Sequence, residues 1–273
     1  MTATESYVER APLPGLAAVV RTVWVQRTGA TASVHRHLPT GGVEIHFPIG
    51  GRPQLLGPLT GPEIEIIPAG TTLVGVRFWP GVAPLLTTVL DDLVDQRLAL
   101  TELWGSLADR LVEAVAGAGT PERALQLLQD HLLREFRPAA VRVDPLMRAA
   151  VQALMPWQPV TVDAVATQLA LSPSQLRRRC LHAVGLSPKV LQRTLRFQGF
   201  LALAQAGADS VAGLAVDAGY ADQAHLSREC LRLTGLTPRQ LLGGDVDRCG
   251  CGHDHTASYR PFLAVRNRPP LRV

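Results

Sequence analysis

The phrase RRCLHAVGLSP (residues 178–188) returns fifty residues later as RECLRLTGLTP (228–238), with Arg, Cys, Leu, Gly, Leu and Pro in the same slots and Ser187 exchanged for Thr237. Self-similarity at a fixed distance is the signature of one supersecondary unit built twice. In the second copy Ser210 is a good helix N-cap, Val211, Leu214 and Ala215 follow at helical spacing, and Gly219 supplies the positive-φ residue that ends a short helix. A second helix then starts near Asp222. On it Leu226, Cys230 and Leu233 share one stripe, while Ala224, Arg228 and Arg232 lie on the opposite side of the 3.6-residue turn.

The first copy follows the same grammar. Val162, Val165, Ala166 and Leu169 form a packing face, Ser172 caps, and Pro173 takes the favoured first helical position. Leu176, Cys180 and Val184 then face inward and Ser174, Arg178 and His182 outward. Ala166 to Cys180 is 14 residues and Ala215 to Cys230 is 15, so the second turn is one residue longer. Two short helices joined by a tight turn, the second displaying Arg, is the shape that enters a DNA major groove, where an arginine pairs with guanine O6 and N7. Between the copies, Leu191, Leu195, Phe197, Phe200, Leu201 and Leu203 predict one long buried helix. Such a spacer would hold two recognition helices in successive major grooves, about 34 Å apart.

Charge agrees with a polyanionic partner. Residues 1–144 hold 12 Arg against 15 acids, whereas residues 145–273 hold 14 Arg and Lys189 against 8 acids, so the basic balance belongs to the C-terminal half. The four cysteines do not form a disulfide framework, since Cys180 and Cys230 sit inside the repeat and Cys249 and Cys251 are one residue apart. No apolar run approaches the roughly 20 residues of a membrane span, and MTATESYVERAPLPG lacks a basic stretch followed by an apolar one. A cytoplasmic chain with no membrane partner is expected.

Residues 145–243 resemble the DNA-binding domain of the AraC/XylS family of transcription regulators, through Val165-Ala166 and Leu214-Ala215, GYADQAHLSR (219–228), the Arg196-centred connecting helix and GLTPRQLL (235–242). The resemblance implies base-reading roles for Ser174, Gln175, Arg177 and Arg178 in the first unit and for Gln223, Ala224, Ser227 and Arg228 in the second. It also implies a double-stranded DNA partner. The family's usual aromatic-then-basic pair is replaced by Cys180-Leu181 and Cys230-Leu231. That removes two phosphate contacts and leaves the core intact, because Cys serves as a small apolar residue.

In the N-terminal half, AAVVRTVWVQR, VHRHLPTGGVEIHFPIG, PQLLGPLT and EIEIIPAGTTLVGVRFWPG read as short strands punctuated by Gly and Pro, which predicts a β-sandwich or barrel. From Val82 the pattern turns helical, in VAPLLTTVLDDLVDQ, LTELWGSLADRLVEAVAGA and PERALQLLQDHLLREF. These helices are expected to pack on the barrel or to pair with a second subunit as a homodimer. RHLPTGGVEIHF (36–47) and GVRFWPGVAPLL (75–86) resemble a sensor-type domain of AraC-like regulators, which implies a β-rich domain with a pocket for an unknown small-molecule or metal effector.

Two groups of side chains have metal chemistry. His35 with His37 and Glu44 with His46 alternate on strand faces in a cupin-like way. In the tail, RCGCGHDHT places Cys249, Cys251, His253 and His255 at every second residue, a donor set suited to Zn or Cu. No Gly-rich phosphate loop precedes a helix and no Ser/His/Asp or Cys/His arrangement stands at a nucleophile turn, so an enzyme is not expected. The expectation is an α+β multidomain chain: residues 1–143 a β-rich sensor or oligomerisation domain with helices, residues 144–243 an all-α bipartite helix-turn-helix domain, residues 244–273 a Cys/His tail. The competing reading is a metal-binding, cupin-like enzyme with a helical interaction module.

Overall fold

The computed structural model of the chain describes residues 5–82, 90–135, 144–158, 160–207, 210–243 and 254–266. The N-terminal half holds β1 (Ser6–Arg10), β2 (Val20–Arg27), β3 (Ser33–His37), β4 (Glu44–Pro48), β5 (Gln54–Leu56), β6 (Glu63–Ile67), β7 (Thr72–Phe78) and β8 (Arg97–Ala99). Six of these form an antiparallel sheet in the order β1-β2-β7-β4-β5-β8, and β3 pairs with β6 as a second, two-stranded sheet.

The period-2 alternation of strands sorts chemistry onto the two faces of the large sheet. In β7, Val74 and Val76 point to one side and Gly75 and Arg77 to the other, and in β4 Ile45 and Phe47 oppose Glu44 and His46. The apolar side carries Val23, Val25, Ile45, Phe47, Val74 and Val76 and is covered by helices. The polar side is built in register: Thr22 and Glu44 both stand opposite Arg77, and Trp24 and His46 both stand opposite Gly75. Gly75 is required there. A Cβ at this position would lie 2.1 Å from the Trp24 ring, so only a glycine lets the Trp24 and His46 rings meet over the strand at 5.2 Å between centroids.

Two strands lie outside the sequence reading. In β1 the burial alternates so that Val8 faces solvent and Tyr7 and Glu9 face inward, the reverse of the usual pattern, and β8 is three residues long and runs directly into a helix. α1 (Leu100–Trp104), α2 (Ser106–Ala116) and α3 (Pro121–Glu135) follow, with a break at Gly105, whose φ is +53°. Ala108, Leu111, Val115, Ala124, Leu125, Leu128 and Leu132 pack α2 and α3 onto the sheet. The helix expected over residues 82–96 is not formed where the chain is described: Leu90–Leu93 is a single 3-10 turn, and residues 83–89 lie outside the described residues.

The C-terminal half is α4 (Pro145–Ala153), α5 (Val162–Gln168), α6 (Pro173–Val184), α7 (Pro188–Gln205), α8 (Val211–Asp217), α9 (Gln223–Thr234) and α10 (Pro238–Leu241). One core joins them, with Leu176, Cys180, Leu191, Leu195, Phe197, Phe200, Leu226, Cys230 and Leu233 all buried. α11 (Thr256–Arg266) returns from the end of the chain to pack on α7, β1 and β2, burying Tyr259 and Phe262.

The structure accounts for the duplicated phrase slot by slot. Arg178 and Arg228 are exposed, Cys180 and Cys230 are buried, and Gly185 and Gly235 end α6 and α9 in the left-handed region at φ +78° and +70°. Ser187 and Thr237 then cap the next helices through Val190 N and Gln240 N, and Pro188 and Pro238 stand at their first positions. The phrase is therefore the end of one helix and the start of the next, written twice.

Candidate nucleic-acid interface and the adjoining cavity

Each unit is a helix pair. α5 and α6 are separated by residues 169–172, α8 and α9 by residues 218–222, so the second turn is one residue longer. α6 begins on a capping box in which Ser172 Oγ accepts from Gln175 N at 3.2 Å and Gln175 Oε1 accepts from Ser172 N at 2.8 Å. Asp222 caps α9, accepting from His225 N at 2.6 Å. The first turns that would meet a base edge are thus fixed by side-chain caps.

Of the residues implicated by sequence, Ser174, Gln175, Arg177 and Arg178 are exposed on α6, and Gln223, Ala224 and Arg228 are exposed on α9. Two are partly engaged within the chain. Gln175 Oε1 belongs to the capping box, which leaves its amide N–H groups outward, and half-buried Ser227 donates from Oγ to Gln223 O at 2.8 Å. The spacer ties to the second unit, because Arg193 on α7 pairs with Glu229 on α9 at 3.3 Å and Arg196 lies over the Tyr220 ring at 5.8 Å. Burial pushes the Cys180 and Cys230 thiols up to about 12, so both are un-ionised packing groups.

The N-terminal half touches the C-terminal ends of both outward helices. Arg36 on β3 donates from Nη1 to Thr234 O at 2.7 Å, and Gly185 abuts the Leu90–Leu93 turn, its position for a Cβ only 2.6 Å from Leu90 O. A third link is Gln198 on α7, which donates to Pro39 O at 2.8 Å.

Beside these links lies a cavity of about 440 Å³, bounded by the polar side of the large sheet, by β3, and by α7, α10 and α11. Its floor is an ordered charge network. Arg77 donates to Glu9 Oε1 at 2.8 Å, to Glu44 Oε1 at 2.7 Å and to Ser258 Oγ at 2.6 Å. Burial works to raise the Glu9 carboxyl, but the hydrogen bond from His255 and the charge of Arg77 outweigh it and hold Glu9 far below the usual carboxylate range. Arg21 differs: its guanidinium is 4% exposed, sits 5.4 Å from the Phe262 ring centroid, and has Nε and Nη1 without a hydrogen-bond partner. Burial, with the Arg77 charge adding, lowers it to about 10.

The metal-type residues are dispersed relative to the sequence reading. His35 hydrogen-bonds Gln26, and Glu44 is held by Arg77, so neither is a free donor. His37 and His46 do meet, at 4.7 Å between ring centroids, and the third group beside them is Glu65, which sequence spacing did not single out. Glu65 reaches them because β3 and β6 pair with His35 opposite Glu65. In the tail, Cys249, Cys251 and His253 lie outside the described residues, and His255 Nδ1 pairs with Glu9 Oε1 at 2.8 Å.

Two like-built helix pairs on a common core define a bipartite helix-turn-helix domain joined to a β-rich half. Residues 165–243 match the family described as helix-turn-helix domain, and residues 8–99 match a domain of unknown function, DUF6597. The helix-turn-helix match lies within residues 145–243, the stretch that resembles the DNA-binding domain of the AraC/XylS family. The chain is 33% identical over 111 residues to the HTH-type transcriptional regulator VirS of Mycobacterium tuberculosis, a stretch that is 40% of this chain and 32% of VirS. The chain thus spans about a third of the curated relative's length. Among solved structures it is similar to a lysine-to-alanine variant of apo ToxT from Vibrio cholerae (10% identity, 89% of this chain and 99% of that one, TM-score 0.46) and to unsaturated fatty acid bound wild-type ToxT from the same organism (10% identity, 93% and 99%, TM-score 0.46).

Proposed function

We propose that the chain is a sequence-specific DNA-binding transcription regulator whose β-rich half sets the activity of the DNA-binding half in response to a small molecule. The observation that carries this reading is the pair of outward helices, each with a fixed first turn and an exposed arginine at the same slot, Arg178 on α6 and Arg228 on α9. Each arginine reads a guanine edge in its own major groove, helped by Ser174, Gln175 and Arg177 in one unit and by Gln223, Ala224 and Ser227 in the other. α7, with its ion pair to α9, keeps the two at a fixed separation.

The cavity is the site of control. It adjoins Arg36, whose hydrogen bond ends on α9, and Gln198, which lies on the spacer, so occupancy there bears on both. Arg21 calls for a ligand with an acceptor group, because a buried guanidinium with Nε and Nη1 unpaired costs more than one that is hydrogen-bonded.

Fluorescence anisotropy on DNA from upstream of the chain's own coding sequence tests the reading. Arg178→Ala and Arg228→Ala should each weaken binding by about 1–3 kcal/mol, roughly five- to 150-fold, and should relax specificity in different half-sites. Affinity should also fall steeply with salt as phosphate contacts release counterions. Wild-type affinity in both variants would overturn the proposal.

A further inference from the structure

Between the two sheets, His37 on β3, His46 on β4 and Glu65 on β6 bring two imidazoles and a carboxylate together. Among the described residues they are the one group of three or more His, Cys, Asp or Glu side chains whose ligand atoms all lie within 4.8 Å of one another. We propose that this group is a binding site for a divalent first-row transition metal ion of the zinc type, independent of whether the chain binds DNA.

Donor chemistry and distances both fit. Nitrogen and carboxylate oxygen ligands sit about 2.0–2.2 Å from zinc, which puts neighbouring ligands of a tetrahedral site about 3.3 Å apart. Here Glu65 Oε2 is 2.7 Å from His37 Nε2 and 3.7 Å from His46 Nδ1, so small side-chain rotations reach that geometry. All three residues stand on paired strands, which fixes their positions more firmly than loops would.

His46 supplies the independent observation. It is 1% exposed, yet neither ring nitrogen has a hydrogen-bond partner; its nearest carboxylate oxygens are at 3.6 and 3.7 Å. A buried imidazole left in this way is rare in proteins, and an ion on Nδ1 satisfies it. The outer partners follow the pattern of metal-bound histidines, in which the second nitrogen faces a carboxylate. His46 Nε2 faces Glu44 Oε2 at 3.6 Å, and Glu44 is itself anchored by Arg77 at 2.7 Å. Arg97 plays the same part for Glu65, donating to it at 3.0 Å while also holding Glu63 at 2.8 Å.

Entry is from the cavity, which His37 lines. When the ion binds, the proton that His37 Nε2 shares with Glu65 leaves to solvent and the nitrogen lone pair turns to the metal. Three protein ligands leave a coordination position for water or for a donor atom of a molecule in the cavity. The site differs from the Cys/His tail in chemistry, since it contains no thiolate.

The test uses the full chain, stripped with EDTA and titrated with Co²⁺ as a spectroscopic stand-in for Zn²⁺. A single ion per chain should bind with d–d absorption but no thiolate-to-cobalt charge-transfer band. Cys249→Ser with Cys251→Ser should leave this unchanged. His37→Gln and Glu65→Gln, each checked for wild-type circular dichroism, should weaken binding at least ~10-fold. Because two half-buried positions are tested separately, misfolding of one variant leaves the other to decide. The proposal fails if the wild-type chain takes up no Co²⁺ or Zn²⁺, if a folded variant binds as wild type does, or if the serine pair alone abolishes binding.

Discussion

Arg36 Nη1 donates a 2.7 Å hydrogen bond to the carbonyl of Thr234, the last residue of α9. A cation at the C-terminal end of a helix is favourable because it satisfies an orphan carbonyl and faces the negative end of the helix dipole. The contact joins residues 198 positions apart and places a cavity-lining side chain on the end of an outward helix.

Arg36→Ala should therefore loosen α9 without unfolding the chain. The side chain is exposed, so the expected loss in stability is about 1 kcal/mol or less. Hydrogen exchange should quicken at the end of α9 and stay unchanged in α4. Uniform exchange across both helices would argue against Arg36 as the link.

The link to α6 is steric. Gly185 has φ +78° and its Cβ position is 2.6 Å from Leu90 O, so Gly185→Ala is strained in its backbone and collides with the neighbouring turn. A destabilisation of roughly 1 kcal/mol or more is expected. Gly207 makes a control, because it also has positive φ but nothing within 4 Å of its Cβ position. Denaturant melts should show a larger loss for Gly185→Ala than for Gly207→Ala; equal losses would mean that the Leu90 contact is absent in solution.

Cys180 and Cys230, pushed up to about 12 by burial, should resist alkylation at neutral pH. In a Cys249→Ser, Cys251→Ser background, iodoacetamide should modify neither thiol in the native chain and both in denaturant. Rapid native labelling at either position would place that recognition helix outside the core.

Glu9 gives the chain an acid limb. Its carboxyl is depressed below 4.5 on folding, so its contribution is complete above about pH 4.5 and is lost as pH falls through the depressed value. The wild-type melting temperature should drop on acidification, and Glu9→Gln should flatten that drop. At neutral pH the variant should be less stable by about 3–5 kcal/mol, the usual consequence of breaking a buried ion pair, here the Glu9–Arg77 contact at 2.8 Å. Parallel acid limbs for the two proteins would refute this role.

How much was legible in the sequence follows from how local each signal is. α6, α7 and α9, their caps and their buried stripes depend on residues three or four apart, and the duplicated phrase displays them directly. The exposure of Arg178 and Arg228 follows from the same period. β1 and β8 were hidden because Val8 and Glu9 invert the expected alternation and because three residues carry too little pattern. The tail's metal donors end at His255, and nothing in their spacing announces the helix from Thr256, whose Tyr259 and Phe262 bury against the rest of the chain.

Sequence by itself determined the two helix pairs, the spacer and the division of charge between the halves, since each rests on contacts along a few turns of chain. Only the tertiary structure decided that Glu65 joins His37 and His46, that Arg77 joins Glu9 to Glu44, and that Arg36 ends on α9. Those meetings are set by strand register and by the packing of one half on the other, and the energies that select them come from residues far apart in the chain.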